Sequence, residues 1–102
     1  MADSKEVEVK AEDVFWQLTD NFIGHANSLV PAHDVGVVNA SMIFASARFN
    51  TFVIASQCGT KEAFEAEKAA ALDYFVNQYK IALTEHMTEV QTNFDKYIRP
   101  NN

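Results

Sequence analysis

The sequence predicts an all-α protein, an antiparallel bundle of three principal helices whose long third helix overhangs the other two. Two observations favour this class. The 102 residues include only three Gly and two Pro, too few for the many turns of an all-β fold. Apolar residues make up 48% of the chain and recur at helical spacing in long segments. A chain of this length forms a single domain, which we assign to residues 12–99.

The first helix is predicted over about residues 12–30. Asp13 is a suitable N-cap residue, and Pro31 stops the helix. Residues 1–11 are predicted to form a mobile tail, because their KEVEVK segment alternates like a strand and no second strand pattern exists to pair with it. The apolar residues that recur every three or four positions are Phe15, Leu18, Phe22, Ala26 and Leu29.

The second and third helices are predicted over about residues 37–58 and 60–98. Gly59 is typical of a helix C-terminus, and Thr60 is a good N-cap for the helix that follows. No Gly or Pro interrupts the third helix before Pro100.

The third helix is too long for its neighbours. Counting residues back from Gly59 leaves residues 83–98 as an overhang of roughly 24 Å, whose apolar face requires a partner. We expect a homodimer formed through this face; the alternative is a break near Thr84 that folds the segment back as a fourth helix. Protonation of a histidine on this face would make dimerisation pH-sensitive. The predicted interface residues are Leu83, His86, Met87, Val90, Phe94, Tyr97 and Ile98.

Arg48 lies in the least charged part of the chain, in the run ASARFNTF. Helical periodicity places it on the core side of the second helix, where a guanidinium needs a counter-charge, several carbonyl groups or a route to solvent. Counting residues from the turns at Gly59 and Pro31 places Asp73 and Asp20 at the same height in the bundle as Arg48, which makes them candidate partners. Arg48 is then an internal strut, or it binds an anionic ligand together with Tyr74 or Asp73.

The remaining features exclude several classes of function. A net charge of −6 disfavours nucleic-acid binding, because phosphates require clustered Lys and Arg. Arg48 in mid-segment disfavours a membrane span over residues 35–58. The three histidines lack metal-ligand spacing, and we find no catalytic constellation and no cofactor motif. One cysteine and an acidic N-terminus favour the cytoplasm.

Several short runs resemble a bacterial, mostly proteobacterial, family of short helical proteins catalogued as a domain of unknown function. The resemblance spans about residues 14–98 and implies a soluble bacterial protein without established catalytic residues. Its most distinctive run is Ala47-Arg48-Phe49-Asn50, and the others are Phe15-Trp16, Phe22-Ile23, Ala26-Asn27, Asp73-Tyr74-Phe75, Gln78-Tyr79 and Asn93-Phe94-Asp95-Lys96-Tyr97.

From these observations we expect a protein-interaction module or a homodimeric structural or adaptor protein. The alternative is a small anionic-ligand binder that uses a buried Arg48. An enzyme is the least favoured reading of the sequence.

Overall fold

The computed structural model describes residues 4–98, with side chains from Lys10 onward, and every regular element in that range is a helix. The prediction of an all-α protein is therefore confirmed. The chain divides into two structural units, Met1–Arg48 and Phe49–Asn102, with the boundary inside the second long helix. The elements are α1 (Ser4–Leu29), a 3₁₀ helix (Val30–Ala32), α2 (Val35–Cys58), α3 (Lys61–Thr92) and α4 (Phe94–Tyr97).

In the first unit, α1 begins at Ser4 rather than near residue 12. The predicted start was wrong. Residues 4–11 contain no Gly or Pro to oppose a helix, and their helix propensity outweighs the strand-like alternation in KEVEVK. Residues 1–3 lie outside the described range, and the mobility of residues 1–11 stays a prediction. At its other end α1 stops at Leu29, and Pro31 lies within the 3₁₀ helix that follows.

Asp34 starts α2. Its Oδ2 accepts hydrogen bonds from the backbone N–H groups of Gly36 at 3.0 Å and Val37 at 3.3 Å, which satisfies donors that have no partner in the first turn of a helix. A Cβ at position 36 would lie 2.9 Å from that carboxylate oxygen, so Gly36 allows the close approach. α2 begins at Val35, two residues before the predicted start near residue 37.

In the second unit, the junction between α2 and α3 follows the sequence prediction. Gly59 adopts a positive φ of 78°, the left-handed conformation typical of a residue that follows a helix C-terminus. Thr60 is the N-cap of α3, where its side chain accepts a hydrogen bond from the N–H of Ala63 at 3.1 Å.

The predicted third helix is divided in two. α3 ends at Thr92, Asn93 departs from helical geometry with φ −119° and ψ 39°, and α4 follows. No Gly or Pro marks this break; an asparagine side chain, however, competes with the helix by bonding locally. At Thr84, where the alternative prediction placed a break, the helix is continuous, and the hydroxyl donates to the carbonyl of Lys80.

Large apolar side chains remain exposed throughout the described residues. Val38 is the one buried side chain among them. The partly covered residues of α2 are Asn50, Val53, Ile54 and Cys58, and those of α3 include Phe64 and Phe75. Antiparallel packing of the long helices and dimerisation both stay predictions.

Candidate functional site

The end of α3 and the start of α4 form an open apolar groove of about 480 Å³. It lies at the helix break at Asn93, where Phe94, the first residue of α4, comes beside the last turns of α3. The lining residues are His86, Met87, Val90, Gln91 and Phe94.

The carboxylate of Glu89 bridges the helix break at Asn93. Oε1 of Glu89 accepts hydrogen bonds from Nδ2 of Asn93 and from the hydroxyl of Tyr97, both at 3.0 Å. The bond to Glu89, some burial and the negative charge of Glu89 raise the pKa of Tyr97 above its usual value. Glu89 therefore holds both the residue at the break and the last residue of α4.

His86 has a defined orientation at the groove. Its Nδ1 lies 2.6 Å from the carbonyl oxygen of Ala82, and a carbonyl can only accept, so Nδ1 carries a proton in this arrangement. The other ring nitrogen, Nε2, is then a hydrogen-bond acceptor in the neutral imidazole.

The structure brings together four of the seven residues that the sequence assigned to an interface, namely His86, Met87, Val90 and Phe94. The other three are exposed large apolar residues of the same segment: Leu83, Tyr97 and Ile98. Their role as an interface stays a prediction. Sequence reasoning did not single out Glu89 or Asn93, which lie eight and four residues before Tyr97.

Arg48 was expected to be buried, and the structure exposes it. The physical reason is that its side of α2 is uncovered: Phe44, one turn before it, is 75% exposed, and Phe52, one turn after it, is also exposed. An exposed guanidinium has access to water and needs no internal counter-charge.

The other residues assigned to the Arg48 network are exposed as well. Asp20 lies on α1, and Asp73 and Tyr74 lie on α3. The Tyr74 ring contacts Phe75 edge to face, with 5.4 Å between ring centroids. Pairing of Arg48 with Asp73 or Asp20 stays a prediction, as does an anionic ligand.

Within the described residues no group of three or more His, Cys, Asp or Glu side chains could hold a metal ion. One described helix, α2, is long and apolar enough to cross a membrane by length and composition, a property that core helices of soluble proteins share.

The fold and the groove define an all-α protein with an exposed apolar surface. By sequence, the chain belongs to the family described as protein of unknown function (DUF3144), whose model matches residues 15–91. No curated protein and no solved structure matches it significantly.

Proposed function

We propose that this protein is a homo-oligomeric interaction protein, in which the α3–α4 groove of one copy is covered by the same groove of a second copy. The observation that carries this proposal is the groove itself: an apolar surface at the end of α3 with Met87 62% exposed and Phe94 53% exposed. Water contact with such side chains is unfavourable, and a second copy presents a matching apolar surface.

The polar groups around the groove suit a two-fold contact. Gln91 is the only lining residue with an amide, which can both donate and accept a hydrogen bond across the interface. Glu89 accepts hydrogen bonds from Asn93 and Tyr97 of its own chain, so that its carboxylate already has partners when a second copy approaches. The core of the interface would then be apolar with a polar rim, as in stable protein contacts.

Area estimates place this contact at the weak end of specific interfaces. Val90 is partly covered, and the other four side chains at the groove each leave roughly 100 Å² uncovered, which gives roughly 400 Å² for each copy and about 800 Å² for the pair. Specific stable interfaces bury about 1,200–2,000 Å² in total. The groove therefore supports association at micromolar rather than nanomolar concentrations unless another surface contributes.

In this proposal the protein is soluble, cytoplasmic and non-enzymatic, and its partner is a copy of itself. A membrane would accept α2, but it would leave the α3–α4 groove uncovered and would place Arg48 near the middle of the span. Self-association accounts for the groove without that cost.

A pair of charge insertions tests the proposal. Val90→Asp places a carboxylate at the centre of the groove, whereas Thr88→Asp adds the same charge about 160° around α3. We expect sedimentation velocity at high micromolar concentration to show a lower mass for Val90→Asp than for wild type, and an unchanged mass for Thr88→Asp. Circular dichroism verifies that both variants remain helical.

Two results would count against the proposal. If wild type sediments as a single chain at every concentration, no second copy covers the groove. If both aspartate variants lose mass equally, the effect is one of added charge and not of the groove.

A further inference from the structure

The helix break at Asn93 is not explained by the residues that follow it. α4 is the run Phe94–Tyr97, and no Gly or Pro occurs between Asn93 and Ile98. Residues of these types continue an α-helix without a large penalty. Asparagine itself is tolerated within helices unless its side chain bonds locally. The break therefore depends on side-chain contacts as well as on the local sequence.

The backbone hydrogen bonds change their spacing at Asn93. Its N–H donates to the carbonyl oxygen of Glu89 at 3.0 Å, four residues back as in an α-helix. The N–H of Lys96 donates to the carbonyl oxygen of Asn93 at 3.0 Å, three residues back. In a continuous helix the N–H of Lys96 would bond the carbonyl of Thr92. The break thus replaces a regular helical bond, and another interaction has to offset its loss.

The side chain of Glu89 supplies that interaction. Its Oε1 accepts hydrogen bonds from Nδ2 of Asn93 and from the hydroxyl of Tyr97, both at 3.0 Å. Hydrogen bonds to a carboxylate are stronger than those between neutral groups. The first bond engages the asparagine side chain at the break, and the second anchors the last residue of α4. All three residues lie in the same structural unit, Phe49–Asn102.

The bond to Tyr97 favours the broken helix over a continuous one. Residues eight apart on a continuous helix are separated by roughly 12 Å along the axis and by about 80° around it. Helical side chains lean toward the N-terminus, so the side chain of Glu89 would lean away from Tyr97. The 3.0 Å bond in the structure is therefore harder to form when α3 continues without a break.

The α3–α4 groove depends on the same break. On a continuous helix its five lining residues would occupy an arc of about 140° on a convex surface. At the break, Phe94 comes beside the last turns of α3, and an open groove of about 480 Å³ forms. An interaction that maintains the break consequently maintains the groove.

We propose that Glu89 is the positioning residue of the α3–α4 groove, because its carboxylate holds Asn93 and Tyr97 and thereby keeps the helix broken. Without this acceptor, α3 runs on through Tyr97 as one continuous helix and the groove is lost. Glu89 is not one of the lining residues, so it acts through the two residues that it holds. Its effect on self-association rests on the function proposed above, whereas its effect on the helix does not.

Two substitutions at position 89 separate the acceptor from the charge. Glu89→Ala removes both, whereas Glu89→Gln removes the charge and keeps a carbonyl oxygen that accepts hydrogen bonds. NMR of the full chain gives the three-bond coupling between the amide and α protons of Asn93, which reports its φ. That angle is −119° at the break and about −63° in an α-helix. We expect a large coupling in wild type and in Glu89→Gln, and a small, helical coupling in Glu89→Ala.

Glu85→Ala is the matched control. It removes the same charge one turn earlier on α3, at an exposed position roughly 18 Å along the helix from Tyr97, and it should leave the coupling at Asn93 large. Tyr97→Phe removes one of the two bonds to Glu89 and should give an intermediate coupling. Circular dichroism verifies that every variant remains helical.

The titration of Tyr97 gives a readout that a general change in helix stability would not move. The hydrogen bond to Glu89 is the largest cause of the raised pKa of Tyr97, and the negative charge of Glu89 adds to it. We expect Glu89→Ala to return the pKa of Tyr97 toward its ordinary value. Glu89→Gln should lower this pKa only in part, because the bond is kept and the charge is lost.

Sedimentation velocity on the same variants distinguishes failure of this proposal from failure of the proposed function. A helical coupling at Asn93 in Glu89→Ala, with association weakened at least about tenfold and restored in Glu89→Gln, supports both. A helical coupling with unchanged association supports the role of Glu89 and refutes the groove as an interface. An unchanged coupling in Glu89→Ala, or an equal change in Glu85→Ala, overturns the role of Glu89.

Discussion

Removing the Phe94 ring tests whether the groove is an interface. Phe94 is the first residue of α4, lines the groove and is 53% exposed in the single chain. If a second copy covers that exposed half, the substitution Phe94→Ala removes apolar contact from both sides of a two-fold interface.

The expected magnitude follows from area. Half of a phenylalanine corresponds to roughly 100 Å², which at about 25 cal/mol per Å² contributes about 2.5 kcal/mol for each copy. Two copies give about 5 kcal/mol, and a tenfold change in dissociation constant corresponds to about 1.4 kcal/mol. We therefore expect Phe94→Ala to weaken the groove contact by about three orders of magnitude.

Tyr74→Ala is the matched control. Tyr74 is 59% exposed and lies about 160° around α3 from Val90. The substitution therefore removes a ring of similar size and exposure at a position away from the groove. Sedimentation velocity over a concentration series, with circular dichroism as a check on folding, gives both constants. Equal weakening in the two variants, or no weakening in Phe94→Ala, would refute the assignment of the groove as an interface.

Two further predictions concern the ends of α3. The hydrogen bond to Glu89 raises the pKa of Tyr97, so the stability that this bond contributes is present below about pH 10 and is lost as pH rises through the raised pKa. Tyrosinate absorbance should show one late-titrating phenol that Tyr97→Phe removes, and a titration curve unaltered by that substitution would contradict the bond. Thr60→Ala should lower the free energy of unfolding by about 1 kcal/mol through loss of the N-cap, seen in thermal denaturation as a melting temperature about 4–8 °C lower, whereas an unchanged midpoint would show that the cap contributes nothing.

Local signals in the sequence predicted most of the helical elements. Gly59 and Thr60 act at helix ends through backbone conformation and short-range hydrogen bonds, and such effects depend on few neighbouring residues. The break at Asn93 was missed because asparagine is tolerated within helices and stops one only when its side chain finds a local partner, here Glu89.

The groove was predicted in part. Apolar periodicity identified Met87, Val90 and Phe94 as one surface, because residues three and four apart share a helix face. A prediction from periodicity assumes a straight helix, so it did not predict a groove and did not include the polar residue Gln91. The exposure of Arg48 was not predictable from the helical wheel, because a wheel shows which residues share a side and not which side is covered.

The mass of the wild-type protein in solution tests the central claim most directly. Sedimentation equilibrium from low to high micromolar concentration should show a mass that rises above that of the 11.4 kDa chain to that of two chains. A mass of one chain across the whole range would contradict the account, because the α3–α4 groove would then remain uncovered in solution.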